Sequence, residues 1–233
     1  DGHGGSDSQT WDVTVVPVGP ELSSPGVIPS TGSSSTSFTY SVTYTHAGDV
    51  APTIKDVYID GTAYEMTSSD TTYTDGSVFE YSHSFSPGTH DHTYYFDFSD
   101  GTTAVREPLS GSHAGPTTND APVIDSYLPV DTTPEVVEGG SLEFSVSVSD
   151  ADSDTLSYQW TFDGANTVTT STYTYNPAVG DSGQHEAAVT VSDGHGGSDS
   201  QTWNVTVTDV RGALSSTSVT HTYGSKSKIF TYS

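Results

Sequence analysis

Residues 141–164 read SLEFSVSVSDADSDTLSYQWTFDG. Leu142, Phe144, Val146 and Val148 alternate with Glu143, Ser145 and Ser147, and after an acidic turn Leu156, Tyr158, Trp160 and Phe162 form a second alternating run. A period of two puts one set of side chains on a single face, so each run is a half-buried strand and not a helix. Further along, Ala187, Val189 and Val191, then Trp203, Val205 and Val207, supply later strands of the same kind. One all-β sandwich is therefore expected over residues 119–209. The first half repeats the logic with Phe38, Tyr40, Val42 and Tyr44, then Ile54, Val57, Tyr58 and Ile59 before the hairpin signal Asp60-Gly61. Phe79, Tyr81, His83 and Phe85 follow, and Pro87-Gly88 turns into Tyr94, Phe96 and Phe98. A second sandwich is expected over residues 17–108, with the Gly-, Pro-, Ser- and Thr-rich stretch at 109–118 as a linker.

The chain also repeats itself. Residues 193–207, DGHGGSDSQTWNVTV, restate residues 1–15, DGHGGSDSQTWDVTV, with Asp12 against Asn204 as the sole mismatch. At the same offset Gly32-Ser33 falls on Gly224-Ser225 and Phe38-Thr39-Tyr40-Ser41 on Phe230-Thr231-Tyr232-Ser233. A period of about 192 residues exceeds one small domain, so the fold expected is a tandem array with two sandwiches per period. Residues 1–16 then read as the last strand of a preceding domain and residues 210–233 as the first strands of the next repeat. Both ends fall inside domains, and the chain reads as an excerpt of a longer array; strand exchange through residues 1–15 is the other route.

Composition narrows the partners. There are 30 acidic residues against five basic ones, a net charge of −25. Phosphate neutralisation needs Lys and Arg, so nucleic acid is not expected as a partner. No stretch is apolar for the roughly 20 residues a membrane helix requires, so no insertion of this segment is expected. The chain has no cysteine, which argues against a disulfide-stapled module. Self-repulsion on this scale calls for screening by salt or divalent cations.

Several of these segments resemble known families. Glu138-Gly139-Gly140-Ser141-Leu142, SVSDADSDTLSYQWTFDG and VTVSDGHGGSDSQTWNVTV resemble the polycystic-kidney-disease-type and bacterial cadherin-like immunoglobulin sandwiches of cell-surface proteins. Asn119-Asp120-Ala121-Pro122-Val123 resembles the cadherin inter-repeat linker, and Trp160-Thr161-Phe162-Asp163-Gly164 departs from the usual WDFGDG. Residues 17–108, with VYIDGTAYEM and GTHDHTYYFDFSDGTT, are similar to a related immunoglobulin-like module of archaeal surface-layer and secreted repeat proteins. The resemblance implies tandem immunoglobulin-like sandwiches, an extracellular or cell-surface location, and linker calcium held by Asn119, Asp120 and Asp209.

The residues themselves nominate further ligands. Asp150, Asp152 and Asp154 present three carboxylates at alternate positions between two strands, and hard oxygen donors in a flexible loop suit Ca²⁺. The loops at one end of such a sandwich gather together, so Asp193 and Asp199 are expected to approach the same ion. This is no EF-hand, because Thr161 stands where the bidentate Glu is required. Gly180-Asp181-Ser182-Gly183 matches the tetrapeptide around a serine-protease nucleophile but lacks a placed base and orienter. It reads instead as the corner before a late strand, with His185 at the usual tyrosine position and Ala187 at the usual cysteine. His90-Asp91-His92 puts two imidazoles on one face of a strand, a geometry a transition metal could accept, but reads first as a solvated strand edge. Asn204-Val205-Thr206 is an N-glycosylation sequon, and the tyrosines and Ser/Thr runs suit sugar contacts.

The expectation is therefore a non-catalytic, calcium-stiffened repeat of an extracellular filament, sheath or surface layer that polymerises head to tail. The competing expectation is an adhesive or carbohydrate-binding accessory module of a large surface protein. Self-association separates the two.

Overall fold

In this computed structural model the described residues are 8–11 and 19–210, together with the strands Val219–Tyr223 and Lys226–Phe230. The chain divides into two units, Asp1–Asn119 and Asp120–Ser233. The described elements are strands, turns and bends.

The first unit contains β1 (Pro20–Ile28), β2 (Thr31–Gly32), β3 (Phe38–His46), β4 (Ile54–Ile59), β5 (Thr62–Glu65), β6 (Ser77–His83), β7 (Asp91–Ser99), β8 (Ala104–Glu107) and β9 (His113–Thr118). One sheet has the order β1-β3-β6 and the other β2-β9-β7-β4-β5, with β8 also on β7. The alternation in β3 does what the period-two pattern demands. Phe38, Tyr40, Val42 and Tyr44 are wholly buried, while Thr39, Ser41, Thr43 and Thr45 face outward. Across the core stand Val57 and Ile59 of β4 and Tyr94, Phe96 and Phe98 of β7, closed by Met66, Phe79 and Phe85. Burying each such side chain is worth about 1.5–3 kcal/mol, which makes this face the main source of the unit's stability. Asp60 and Gly61, at φ 48° and 81°, form the tight turn between β4 and β5.

Residues 113–118, expected in a linker, form β9 instead. β8 and β9 run in succession along the same side of β7: Phe96 pairs with Glu107 and Tyr94 with His113, while residues 108–112 loop out between them. The composition of this loop resembles a linker, but Pro116 and Thr118 are buried, and the boundary between units falls after Asn119.

The second unit repeats the plan with β10 (Val123–Leu128), β11 (Glu135–Val137), β12 (Leu142–Ser149), β13 (Ser157–Phe162), β14 (Ala165–Asn166), β15 (Thr172–Tyr175), β16 (Gly183–Ser192) and β17 (Ser198–Thr208). Its sheets run β10-β12-β15 and β11-β17-β16-β13-β14. As in the first unit, the short edge strand is parallel, here β11 on β17. Trp160 of β13 and Trp203 of β17 are both wholly buried, with ring centroids 5.6 Å apart and 18° between planes. Each indole N–H finds a carbonyl at 2.8 Å, Thr170 for Trp160 and Pro129 for Trp203, so neither costs an unsatisfied buried donor.

β18 (Val219–Tyr223) and β19 (Lys226–Phe230) pair as an antiparallel hairpin. The remaining parts of segments 1–16 and 210–233, expected to be strands of neighbouring domains, lie mostly outside the described residues. Ser8–Trp11 are described and carry no strand; the place they would take by sequence, between β16 and β11, is filled by β17.

Candidate metal centre

In the second unit the turn after β12 is built by one carboxylate. Asp150 Oδ1 accepts the N–H of Asp152 at 2.9 Å and of Asp154 at 3.1 Å, and Ser153 takes φ 64° to close the loop. This leaves Asp150 Oδ2 buried with no hydrogen-bond partner. After β16, Asp193 is 4% exposed, and its Oδ1 accepts from His195 and Gly197 at 2.7 and 3.0 Å. Gly197 has no room for a side chain, since a Cβ would run into the Asp193 carboxylate and the backbone of Ala121.

These two loops bring Asp150, Asp154 and Asp193 together, with one ligand oxygen from each inside a mutual 4.8 Å. Three carboxylates at that spacing repel one another in a site of reduced dielectric, and a hard cation relieves the repulsion. The oxygen donors suit Ca²⁺ or Mg²⁺ better than a soft transition metal. His195, which composition and spacing did not single out, places Nε2 3.7 Å from Asp154 Oδ1.

The other nominated residues stand elsewhere. Asp152 Oδ2 accepts the Asp120 N–H at 2.6 Å, fixing the entry to β10. Asp199 accepts Ile124 N–H on one oxygen and Ser200 N–H on the other, at 2.8 and 2.7 Å. Asn119 closes the first unit, donating its N–H to the Gly32 carbonyl. Asp209 follows β17, whose other end carries the cluster; eleven residues of strand separate the two poles by roughly 35 Å. Asn204 of the sequon is exposed on β17, with Thr206 on the same face.

The corresponding corner of the first unit solves the same problem differently. His46 ends β3 where Asp150 follows β12, and Asp100 follows β7 where Asp193 follows β16. His46 Nδ1 accepts the Gly48 N–H at 3.0 Å, so its proton sits on Nε2, which donates to Asp100 Oδ2 at 3.2 Å. Hydrogen bonds from the Thr103 N–H and from the Thr102 hydroxyl and N–H hold the Asp100 carboxyl well below the usual carboxylate range. One carboxylate is thus matched by an imidazole in the first unit, whereas three converge in the second.

A shared histidine device sits at the opposite end of each sandwich. Asp163 Oδ2 is 2.7 Å from His185 Nδ1, and His185 Nε2 is 2.7 Å from the Asp181 carbonyl. Both partners are acceptors, so the site favours the imidazolium, in which both ring nitrogens donate. The hydrogen bond to Asp163 raises the His185 pKa above its ordinary 6.5, helped by the Asp181 carbonyl and opposed by burial. This is the corner hydrogen bond expected of a tyrosine at that position. In the first unit His92 is 5% exposed, bonded to Asp60 and Thr118 and stacked on Phe85, not on a solvated edge as its sequence neighbours suggest. His46, His92 and His185 have both ring nitrogens committed, so none is a free general base.

The strand order and this shared corner are those of immunoglobulin-like sandwiches. Residues 119–208 match the bacterial Ig domain family. The match covers the second unit's sandwich. No curated protein sequence matches the chain. Among solved structures, the N-terminal eight Ig domains of Down Syndrome Cell Adhesion Molecule align at 12% identity over 81% of this chain and 25% of that one, with a TM-score of 0.53. The fibronectin(III)-like modules of Clostridium thermocellum CbhA align at 12% identity over 81% and 96%, with a TM-score of 0.35. The N-terminal Ig1-2 module of the Drosophila receptor protein tyrosine phosphatase DLAR aligns at 12% over 82% and 99%, at 0.31. Identities this low speak to fold alone. The chain is all-β, with tandem immunoglobulin-like sandwiches, and modules of this kind are typically structural and not catalytic. Among the described residues no helix is long and apolar enough to cross a membrane.

Proposed function

We propose that the chain is a non-catalytic structural repeat of an extracellular filament, sheath or surface layer, assembled head to tail and stiffened by Ca²⁺. The observation that carries this reading is the restated strand. Residues 193–207 reappear at 1–15, and the one change, Asp12 for Asn204, falls on an exposed position. The buried residues Trp203, Val205 and Val207 are kept as Trp11, Val13 and Val15. A segment that preserves a strand's inward face is selected to fill a sandwich core, in a neighbouring repeat or in another copy. Contacts of that heterologous kind propagate unless they close.

Calcium enters through Asp150, Asp154 and Asp193, whose convergence the first unit avoids by using His46. The affinity expected is that of extracellular modules, roughly 10⁻⁴–10⁻³ M. The resemblance to cadherin-like and polycystic-kidney-disease-type modules supports the same reading, and the large negative charge supports a location where divalent cations are abundant. Electron micrographs of the native material in millimolar Ca²⁺ and after EGTA test it. Regular fibres, tubes or sheets that loosen in EGTA are expected. Separate short rods in both conditions would move the assignment to an adhesive or carbohydrate-binding accessory module.

A further inference from the structure

The outward face of the larger sheet in the first unit carries a stack that neither the core nor the candidate metal centre uses. Tyr58 of β4 and Tyr95 of β7 are register partners, with ring centroids 4.5 Å apart and planes within 7°. The Arg106 guanidinium lies 3.8 Å over Tyr95 and is pinned by donating to the Pro108 and Gly111 carbonyls at 2.9 and 2.5 Å. Tyr95 is therefore covered on both faces. Tyr58 is covered on one, because its partner on β5 is Ala63, exposed and too short to shield a ring.

One row further along the same face, Glu65, Asp56, Asp97 and Arg106 are consecutive register partners on β5, β4, β7 and β8. Three carboxylates stand side by side there against one guanidinium. Burial pushes the Asp56 carboxyl up, and the charges of Glu65 and Asp97 push it further. An aromatic face beside carboxylates attracts a cation, through the ring quadrupole and the carboxylate field together.

The chain's own charges point to the occupant. Of its five cations, Lys55 is 3.2 Å from Glu65 and Arg106 caps Tyr95. The other three, Arg211, Lys226 and Lys228, lie in the last 23 residues. At the repeat offset their counterparts are Gly19, Ser34 and Thr36, all uncharged, so basic residues have been placed in this one segment of a strongly acidic chain. We infer that the Lys226–Lys228 segment of a second copy docks on the open face of Tyr58, between Asp56 and Glu65. The inference rests on the self-assembly reading and names one of its contacts.

Isotope-mixed cross-linking tests it. Equal amounts of ¹⁵N-labelled and unlabelled chain are joined with a zero-length carbodiimide, which couples lysine amines to carboxylates in contact, and the linked peptides are read by mass spectrometry. Same-isotope Lys55-to-Glu65 links serve as the internal control. The expected result is mixed-isotope links from Lys226 or Lys228 to Asp56 or Glu65. These should fall about tenfold in about 0.5 M salt, as screening of exposed charges requires. The same loss is expected in Tyr58→Ser and, independently, in a Lys226→Gln, Lys228→Gln variant whose first unit is untouched. Mixed-isotope links elsewhere with none at Asp56 or Glu65 would overturn this contact and leave self-assembly standing. Same-isotope links alone, with a monomer in sedimentation, would overturn both.

Discussion

Asp163 holds His185 and the residue after it. One carboxylate oxygen lies 2.7 Å from His185 Nδ1, and the other accepts the Glu186 N–H at 2.9 Å. Asp60 does the same in the first unit, at 2.7 Å to His92 Nδ1 and 2.8 Å from the Thr93 N–H. Both aspartates open Asp-Gly turns at φ 48°. The turn that ends one strand thereby fixes the start of another, 22 and 32 residues away along the chain, which couples hairpin geometry to sheet assembly.

This clamp gives the second unit a pH dependence. The raised folded-state pKa of His185 means that its contribution is complete below pH 6.5, the ordinary value, and is lost as pH rises through the higher folded value. For Asp163, burial alone would raise the pKa, but the hydrogen bonds from His185 and the Glu186 N–H win and bring it below 3.8. Its contribution is present above the ordinary value and is lost as pH falls through the folded one. Stability of the second unit should therefore peak between about pH 4 and 6.5. His185→Tyr keeps the corner hydrogen bond to Asp181 and should flatten the alkaline side of the profile. Tryptophan-fluorescence melts across pH read this out, since the two buried indoles, Trp160 and Trp203, both lie in the second unit and Trp11 is already exposed; an unchanged profile in the variant would contradict it.

Asp163→Asn removes the charge and leaves the shape. The expected loss is about 1 kcal/mol, at the low end for a charge-assisted hydrogen bond because Asp163 is 49% exposed and solvent screens the pair. Chemical denaturation at pH 5 and at pH 9 measures it, with the loss confined to the lower pH.

Trp160→Phe should cost about 1–3 kcal/mol in the second unit, because a wholly buried indole gives up its hydrogen bond to the Thr170 carbonyl and part of its packed volume in the core. Calorimetry of the variant should move one transition and leave the first unit's transition in place.

His46→Asp sets a second carboxylate against Asp100 and recreates in the first unit the crowding of the second. With side chains 3% and 8% exposed, the pair has little solvent to screen it. The first unit's melting temperature should drop by several degrees in EDTA and recover in part in millimolar Ca²⁺. A drop that Ca²⁺ leaves unchanged would show that carboxylate crowding alone does not make a cation site here.

Much of this is legible in the alternation, because a period of two needs only local spacing. Phe38 to Tyr44 and Leu142 to Phe162 declare their faces before any contact is known, and Asp60-Gly61 declares its hairpin. The convergence of Asp150 with Asp193 is legible for the same reason, since loops at one end of a sandwich gather. Other roles depend on contacts that only the folded chain makes. Asp152 and Asp199 look like ligands from their neighbours, yet they stand outside the group formed by Asp150, Asp154 and Asp193 and anchor the Asp120 and Ile124 amides. The pairings of His92 and His185 span long stretches of sequence and leave no local mark. Residues 113–118 have a linker's composition, and their pairing with β7 overrides it.

Calcium stiffening depends on the convergence of Asp150, Asp154 and Asp193, and a Ca²⁺ titration followed by thermal melting with tryptophan fluorescence reads it out. At ten times the dissociation constant the second unit should gain about 1.4 kcal/mol. For a domain of this size that raises Tm by roughly 5–10 °C. Asp199→Asn should keep the response, whereas Asp150→Asn should abolish it. A wild-type second unit whose melting Ca²⁺ does not move, or an Asp150→Asn variant that responds as the wild type does, would contradict the account.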